Sequence, residues 1–164
     1  MARIFIAIRF NDDVKNTFVN IQNALRTKGV RGNYCPYNNL HLTLAFIGEK
    51  YDLQNIYKAV SEVTFKPFTM TLGELGTFST KTGVIWCGIK EKEPVTTVAN
   101  KLRERLAAND VGFCAMTFYP HISLVRQPST IVTDIDVPET SITVDRLFVM
   151  KSERIDGELV YSEI

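Results

Sequence analysis

Both histidines of this chain stand in one four-residue frame, His41-Leu42-Thr43-Leu44 and His121-Ile122-Ser123-Leu124. The two are 80 positions apart, close to half of the 164 residues. The segments that precede the two frames are also alike. Residues 3–10, RIFIAIRF, have the β-branched and aromatic content of a buried strand. Asn11, Asp12 and Asp13 offer helix N-caps, and Val14, Phe18, Ile21 and Leu25 recur at helical spacing up to a stop at Gly29. The loop over 31–39 then leads into the strand of the first frame.

The second half repeats the order. A strand is predicted over 82–90, and then a helix over 94–113. That helix opens on Pro94 and places Val95, Val98, Leu102 and Leu106 on one face. HISLV comes next as a strand at 121–125. Each frame is succeeded by a further strand, at 68–78 and at 140–152. A helix is predicted over 52–63 and an extended connection over 128–139. A repeat of this length is too long for a solenoid unit. It predicts a single bilobal domain over 1–164 with an internal duplication, its halves roughly 1–80 and 81–164.

Strand alternation turns the frame into chemistry. His41 and Thr43 share one face, opposite Leu42, Leu44 and Phe46; His121 and Ser123 share one face, opposite Ile122 and Leu124. If the lobes face each other, two imidazoles and two hydroxyls converge on one cleft. One imidazole can act as base and the other as acid near neutral pH. The hydroxyls can donate to the non-bridging oxygens of a phosphate. Hydrolysis of a phosphodiester needs both jobs. Two histidines without a carboxylate or cysteine frame make a poor zinc site, so neither a metal nor a cofactor is expected.

Composition narrows the partners. With 45% hydrophobic and 23% charged residues, the chain can bury a core like an ordinary globular protein. The net charge is +1, without the basic excess of a protein that tracks a long phosphate backbone, so nucleic-acid contact should be local. Cys35, Cys87 and Cys114 are odd in number and far apart, and read as buried free thiols in a reducing compartment. No signal peptide and no membrane span are read, and a cytoplasmic location is expected.

Beyond the two frames, RIFIAIRF, NLHLTLAFIGE, LGTF, GVIWCGI, FYPHISLVR and VDRLFVMKSE together resemble the 2H phosphoesterase superfamily. The match is closest to its RNA 2′,3′-cyclic phosphodiesterases, formerly called 2′-5′ RNA ligases. The resemblance implies an α+β fold, with two antiparallel-rich sheets related by a pseudo-twofold around a central cleft and helices on the outer faces. It assigns His41 and His121 as the catalytic pair, and Thr43 and Ser123 as phosphate-binding hydroxyls. Arg126 stands at the family's H-x-T-x-x-R arginine. Strict alternation would turn it away from His121, so a phosphate contact requires a bulge or the end of the strand. The family's Trp-x-Pro-Pro-Glu-Asn segment is replaced here by Tyr34-Cys35-Pro36-Tyr37-Asn38-Asn39.

The implied reaction is hydrolysis of a 2′,3′-cyclic phosphate on an RNA end or nucleotide to the 2′-phosphomonoester, with His121 preferred as base and His41 as acid. Alternatives are ADP-ribose 1″,2″-cyclic phosphate or 2′-5′ oligonucleotides as substrate, with weak reverse ligation, or a non-catalytic nucleotide-binding module. Phe46 and Tyr119, with Tyr37 and Phe118, are candidates to stack on a base. Trp86 is expected in the core and the basic stretch 101–105 on a solvated helix face. A monomer without an obligate protein partner is expected.

Overall fold

Strand β1 (Arg3–Ile8) is buried along nearly its whole length because both of its faces are covered. Ile4, Ile6 and Ile8 enter the main core, while Phe5 and Ala7 join Met150 in a smaller cluster on the opposite face. The computed structural model describes residues 2–78 and 83–164. Helix α1 (Asp12–Thr27) starts where the sequence places it: the Asn11 side chain accepts the Val14 amide at 2.9 Å. It ends in a Schellman motif. The Gly29 amide donates to the Arg26 carbonyl and that of Val30 to Leu25, with Gly29 at φ 85°. Strand β2 (Asn33–Tyr34) and a short 3₁₀ turn (Tyr37–Asn39) then lead into β3 (Leu42–Gly48).

Helix α2 (Leu53–Ser61) and strand β4 (Phe68–Thr77) close the first half. Strand β5 (Val84–Ile89) and helix α3 (Lys92–Ala108) open the second. The helix begins two residues before Pro94. A proline there costs little, because the first-turn amides lack intrahelical partners. It ends in the same Schellman pattern as α1, here with Asp110 at φ 60° in the position of Gly29. Strand β6 (His121–Arg126) carries the second frame.

The strand expected over 140–152 is two strands, β7 (Ser141–Val144) and β8 (Phe148–Ile155). Strand β9 (Glu158–Glu163) is an addition to the elements expected from the sequence. Its hairpin with β8 turns on Asp156-Gly157, both at positive φ, which is the residue pair a two-residue hairpin turn favours. Segment 128–139 contains no helix or strand, as expected. The predicted start of β5 at Thr82, and the boundary between the halves, lie outside the described residues.

Every strand pairing is antiparallel, in an α+β fold of two sheets ordered β3-β1-β8-β9 and β2-β6-β5-β4-β7. Neither sheet is built from one half of the chain. The last strand of the first half, β4, pairs with β5, and β8 of the second half pairs with β1. Each half contributes to both sheets: β1 and β3 stand with β8 and β9, and β2 and β4 stand with β5, β6 and β7.

Both frame strands carry the same irregularity. Against β1 the register steps from Ile6↔Ala45 to Ala7↔Thr43, and against β5 from Ile85↔Val125 to Trp86↔Ser123. One residue is inserted each time, Leu44 in β3 and Leu124 in β6. Two consecutive residues then point to the core, Leu44-Ala45 and Leu124-Val125, and the next side chain along each strand flips to the other face. Those flipped side chains are Phe46 and Arg126.

Candidate active site

His41 sits just ahead of β3 and His121 at the first position of β6, both half-buried. They are held alike. Nδ1 of His41 lies 2.7 Å from the Asn39 carbonyl, and Nδ1 of His121 lies 2.7 Å from the Tyr119 carbonyl. A carbonyl only accepts, so each Nδ1 carries the proton and each neutral Nε2 is left as an acceptor. For His41 that acceptor takes the Thr43 hydroxyl at 2.7 Å. Among the described residues, Nε2 of His121 makes no hydrogen bond.

The rings rest on aromatic surfaces. Phe5 and Tyr161 lie 4.9 and 5.3 Å from the His41 ring, and Phe78 and Trp86 lie 4.9 and 6.1 Å from that of His121. Trp86 is buried as expected, but it lies on the face of Ser123 and His121 rather than in the main core. Its indole Nε1 has no hydrogen-bond partner among the described residues. Burial removes hydration that an imidazolium needs, so both histidines titrate below their ordinary value, His41 at about 4. The Arg126 guanidinium pushes both the same way, and His41 also feels the charge of His121.

The bulge in β6 brings Arg126 to the face of His121 and Ser123, which is what a phosphate contact required. Arg126 lines three cavities, two of which hold the histidine frames. One, of about 670 Å³, is bordered by His41, Thr43, Phe5, Phe46, Arg154 and Tyr161. The other, of about 330 Å³, is bordered by His121, Ser123, Phe78, Asn33 and Gln127. Each of these two cavities thus holds one imidazole and one hydroxyl, and the Arg126 guanidinium borders both with a positive charge that suits an anionic group.

Residues 15–156 match the model of the 2'-5' RNA ligase superfamily. The chain belongs to that superfamily. Membership makes it an enzyme of the phosphoesterase kind. Among curated relatives it is 29% identical over 163 residues to the RNA 2',3'-cyclic phosphodiesterase of Thermotoga maritima, covering 92% of this chain and 86% of the relative. It is 29% identical over 134 residues to that of Escherichia coli, covering 80% and 75%. Among solved structures it is similar to apo E. coli LigT at a TM-score of 0.83 and 25% identity, over 99% of this chain and 94% of that one. LigT has also been solved with ATP, at a TM-score of 0.81.

Several expectations for this superfamily member need correction. Phe46 does not point to the core opposite His41; the bulge turns it into the large cavity, 42% exposed. Tyr119 holds His121 through its carbonyl, but its ring packs on Trp86 and lines a separate 350 Å³ hollow beside Lys92. Tyr37 donates to Asp12, and Phe118 packs under the Arg103 guanidinium, so neither borders the two cavities. In the basic stretch 101–105, Arg103 is not merely solvated: it binds the Leu44 and Met116 carbonyls. Of the cysteines only Cys87 is fully buried, and Cys114 is exposed.

Three neighbours escape sequence reasoning. Tyr161 packs on His41, and burial raises its phenol pKa while the nearby Arg126 charge lowers it. Arg154 borders the large cavity. Asn39 is buried, and its amide donates to the Leu159 carbonyl at 2.9 Å, tying the carbonyl that orients His41 to β9. The Asp-Gly turn is the available signal for β9. Nothing local marks Tyr161 as a neighbour of residue 41.

Proposed function

We propose that this enzyme hydrolyses the 2′,3′-cyclic phosphate of an RNA end or nucleotide to the 2′-phosphomonoester, by acid–base catalysis between His41 and His121. The observation that carries this reading is that two Nδ1-anchored imidazoles, each with the hydroxyl of its own frame, line two cavities that share Arg126. The curated relatives bear the name of that activity.

His121 takes a proton from water as the water oxygen bonds to phosphorus. The P–O3′ bond breaks, and His41 gives its proton to the departing O3′. His121 is the more open ring and its Nε2 makes no bond among the described residues, so it can meet a water. Thr43, Ser123 and Arg126 hold the non-bridging oxygens and balance the charge that grows on them. Burial keeps His41 neutral in the empty site, so it gains its proton together with the anionic phosphate, which offsets the depressing effect of Arg126. Phe46, exposed beside His41, supplies a surface on which a base can stack. No step uses a metal.

The test is turnover of a nucleoside 2′,3′-cyclic phosphate in excess EDTA, with the 2′- and 3′-phosphates resolved. The 2′-phosphate is expected, and His41→Ala and His121→Ala should each lose about 10²–10⁴-fold in kcat. A 3′-phosphate product, loss of activity on chelation, or full activity in either variant would refute the mechanism.

A further inference from the structure

The inserted residue of each frame strand accepts a hydrogen bond from the helix of the opposite half. On β6, the inserted residue Leu124 presents its carbonyl next to the Tyr34↔Val125 pair of β2 and β6, and two donors meet on it. Gln22 of α1 donates to it from Nε2 at 2.9 Å, and the Cys35 amide donates at 2.9 Å. The same Nε2 also donates to the Cys35 carbonyl at 2.9 Å, so one amide ties helix, loop and bulge together. On β3, the inserted residue Leu44 presents the matching carbonyl. Arg103 of α3 donates to it from Nε at 3.2 Å, and the Cys114 amide holds the Phe46 carbonyl two residues on at 2.8 Å. Gln22 is 3% exposed, and a core position with an amide instead of an aliphatic side chain asks for a reason.

The reason lies two residues further along the strand. The bulge at Leu124 is what brings Arg126 to the face of His121 and Ser123. Restoring regular pairing would swing Arg126 to the opposite face. The geometry points to Gln22 as a positioning residue: it pins the Leu124 bulge and so holds Arg126 in the active site, with Arg103 doing the same for the Leu44 bulge that presents Phe46. Because α1 belongs to the first half and β6 to the second, the phosphate clamp of one half is set by the other. The assignment of Arg126 to phosphate rests on the function proposed above; the placement of its charge does not.

The chain has only two histidines, so their ring protons can be followed one by one by NMR. Gln22→Met keeps the volume and removes both donations, and Gln22→Asn is a milder variant that keeps the amide but shortens its reach. With Arg126 displaced, both histidines should titrate at higher pH than in the wild type, because the guanidinium depresses both. Burial and the Asn39 and Tyr119 carbonyls act on them as before, and Arg154 and Tyr161 still border the cavity.

On a cyclic phosphate substrate, Gln22→Met should lose about tenfold or more in kcat/KM, and it should add little to Arg126→Ala in the double variant. A lowered Tm with unchanged histidine titrations, or losses that add in the double variant, would reduce Gln22 to a packing residue and overturn the inference. If the wild type turns over no cyclic phosphate, the function proposed above fails, and the histidine titrations still decide the role of Gln22.

Discussion

His41 shows how far burial can move one side chain's chemistry. Its folded-state pKa, about 4, lies below the ordinary value of 6.5 because desolvation penalises the imidazolium. A histidine depressed in this way contributes stability above pH 6.5, and that contribution is lost as pH falls toward 4, since the unfolded chain takes up the proton first. The difference in unfolding free energy between wild type and His41→Asn should therefore shrink by about 3 kcal/mol from pH 7 to pH 4. Chemical denaturation across that range measures it, and a constant difference would mean that His41 is solvated in the folded protein. A second residue-scale test concerns Asp110, at φ 60° where α1 uses Gly29. Asp110→Gly relieves a left-handed backbone and should stabilise by about 0.5–1 kcal/mol, seen as a raised Tm.

Among the elements, β5 gives the sharpest packing test. Trp86 lies across its neighbour on β4 so closely that a Cβ added at Gly76 would come within 2.3 Å of its indole. Gly76→Ala must push the indole off the wall behind His121. A cost of about 1–3 kcal/mol is expected, with a shift in emission from the chain's single tryptophan and a loss of turnover. Unchanged emission would show that the ring is placed otherwise. The elements also show where periodicity stops being informative. Helices α1 and α2 and strands β1, β3, β4 and β6 match their predicted spans within a few residues, because their apolar spacing is regular and their ends are signed by Asn11, Gly29 and Asp52. Strict alternation puts Phe46 on the wrong face because a bulge adds one residue without changing composition. The same alternation fails at Arg126, where a bulge is the condition that a phosphate contact sets.

At the scale of the whole molecule, the shared sheets couple the two halves. β1 pairs with β8 on one side, and β4 pairs with β5 on the other. Fragments 1–80 and 81–164 should each fail to show a cooperative thermal transition alone by circular dichroism. Mixed, they should regain one. A fragment that melts cooperatively by itself would mean that half of the chain suffices for a core.

The sequence by itself determined the order of most elements, the two histidine frames and the family, because these are carried by local spacing and by residue types that few chains combine. It also determined which side chains share a face, wherever the strands run regularly. Only the tertiary structure decided that both halves contribute to each sheet, that Tyr161 and Asn39 brace His41, and that Gln22 and Arg103 reach across to the two bulges. The physical reason is common to all three. The braces and the bulge contacts join residues 59 to 120 positions apart, and β1 meets β8 141 to 149 positions away; no local periodicity records which distant group a strand or side chain will find.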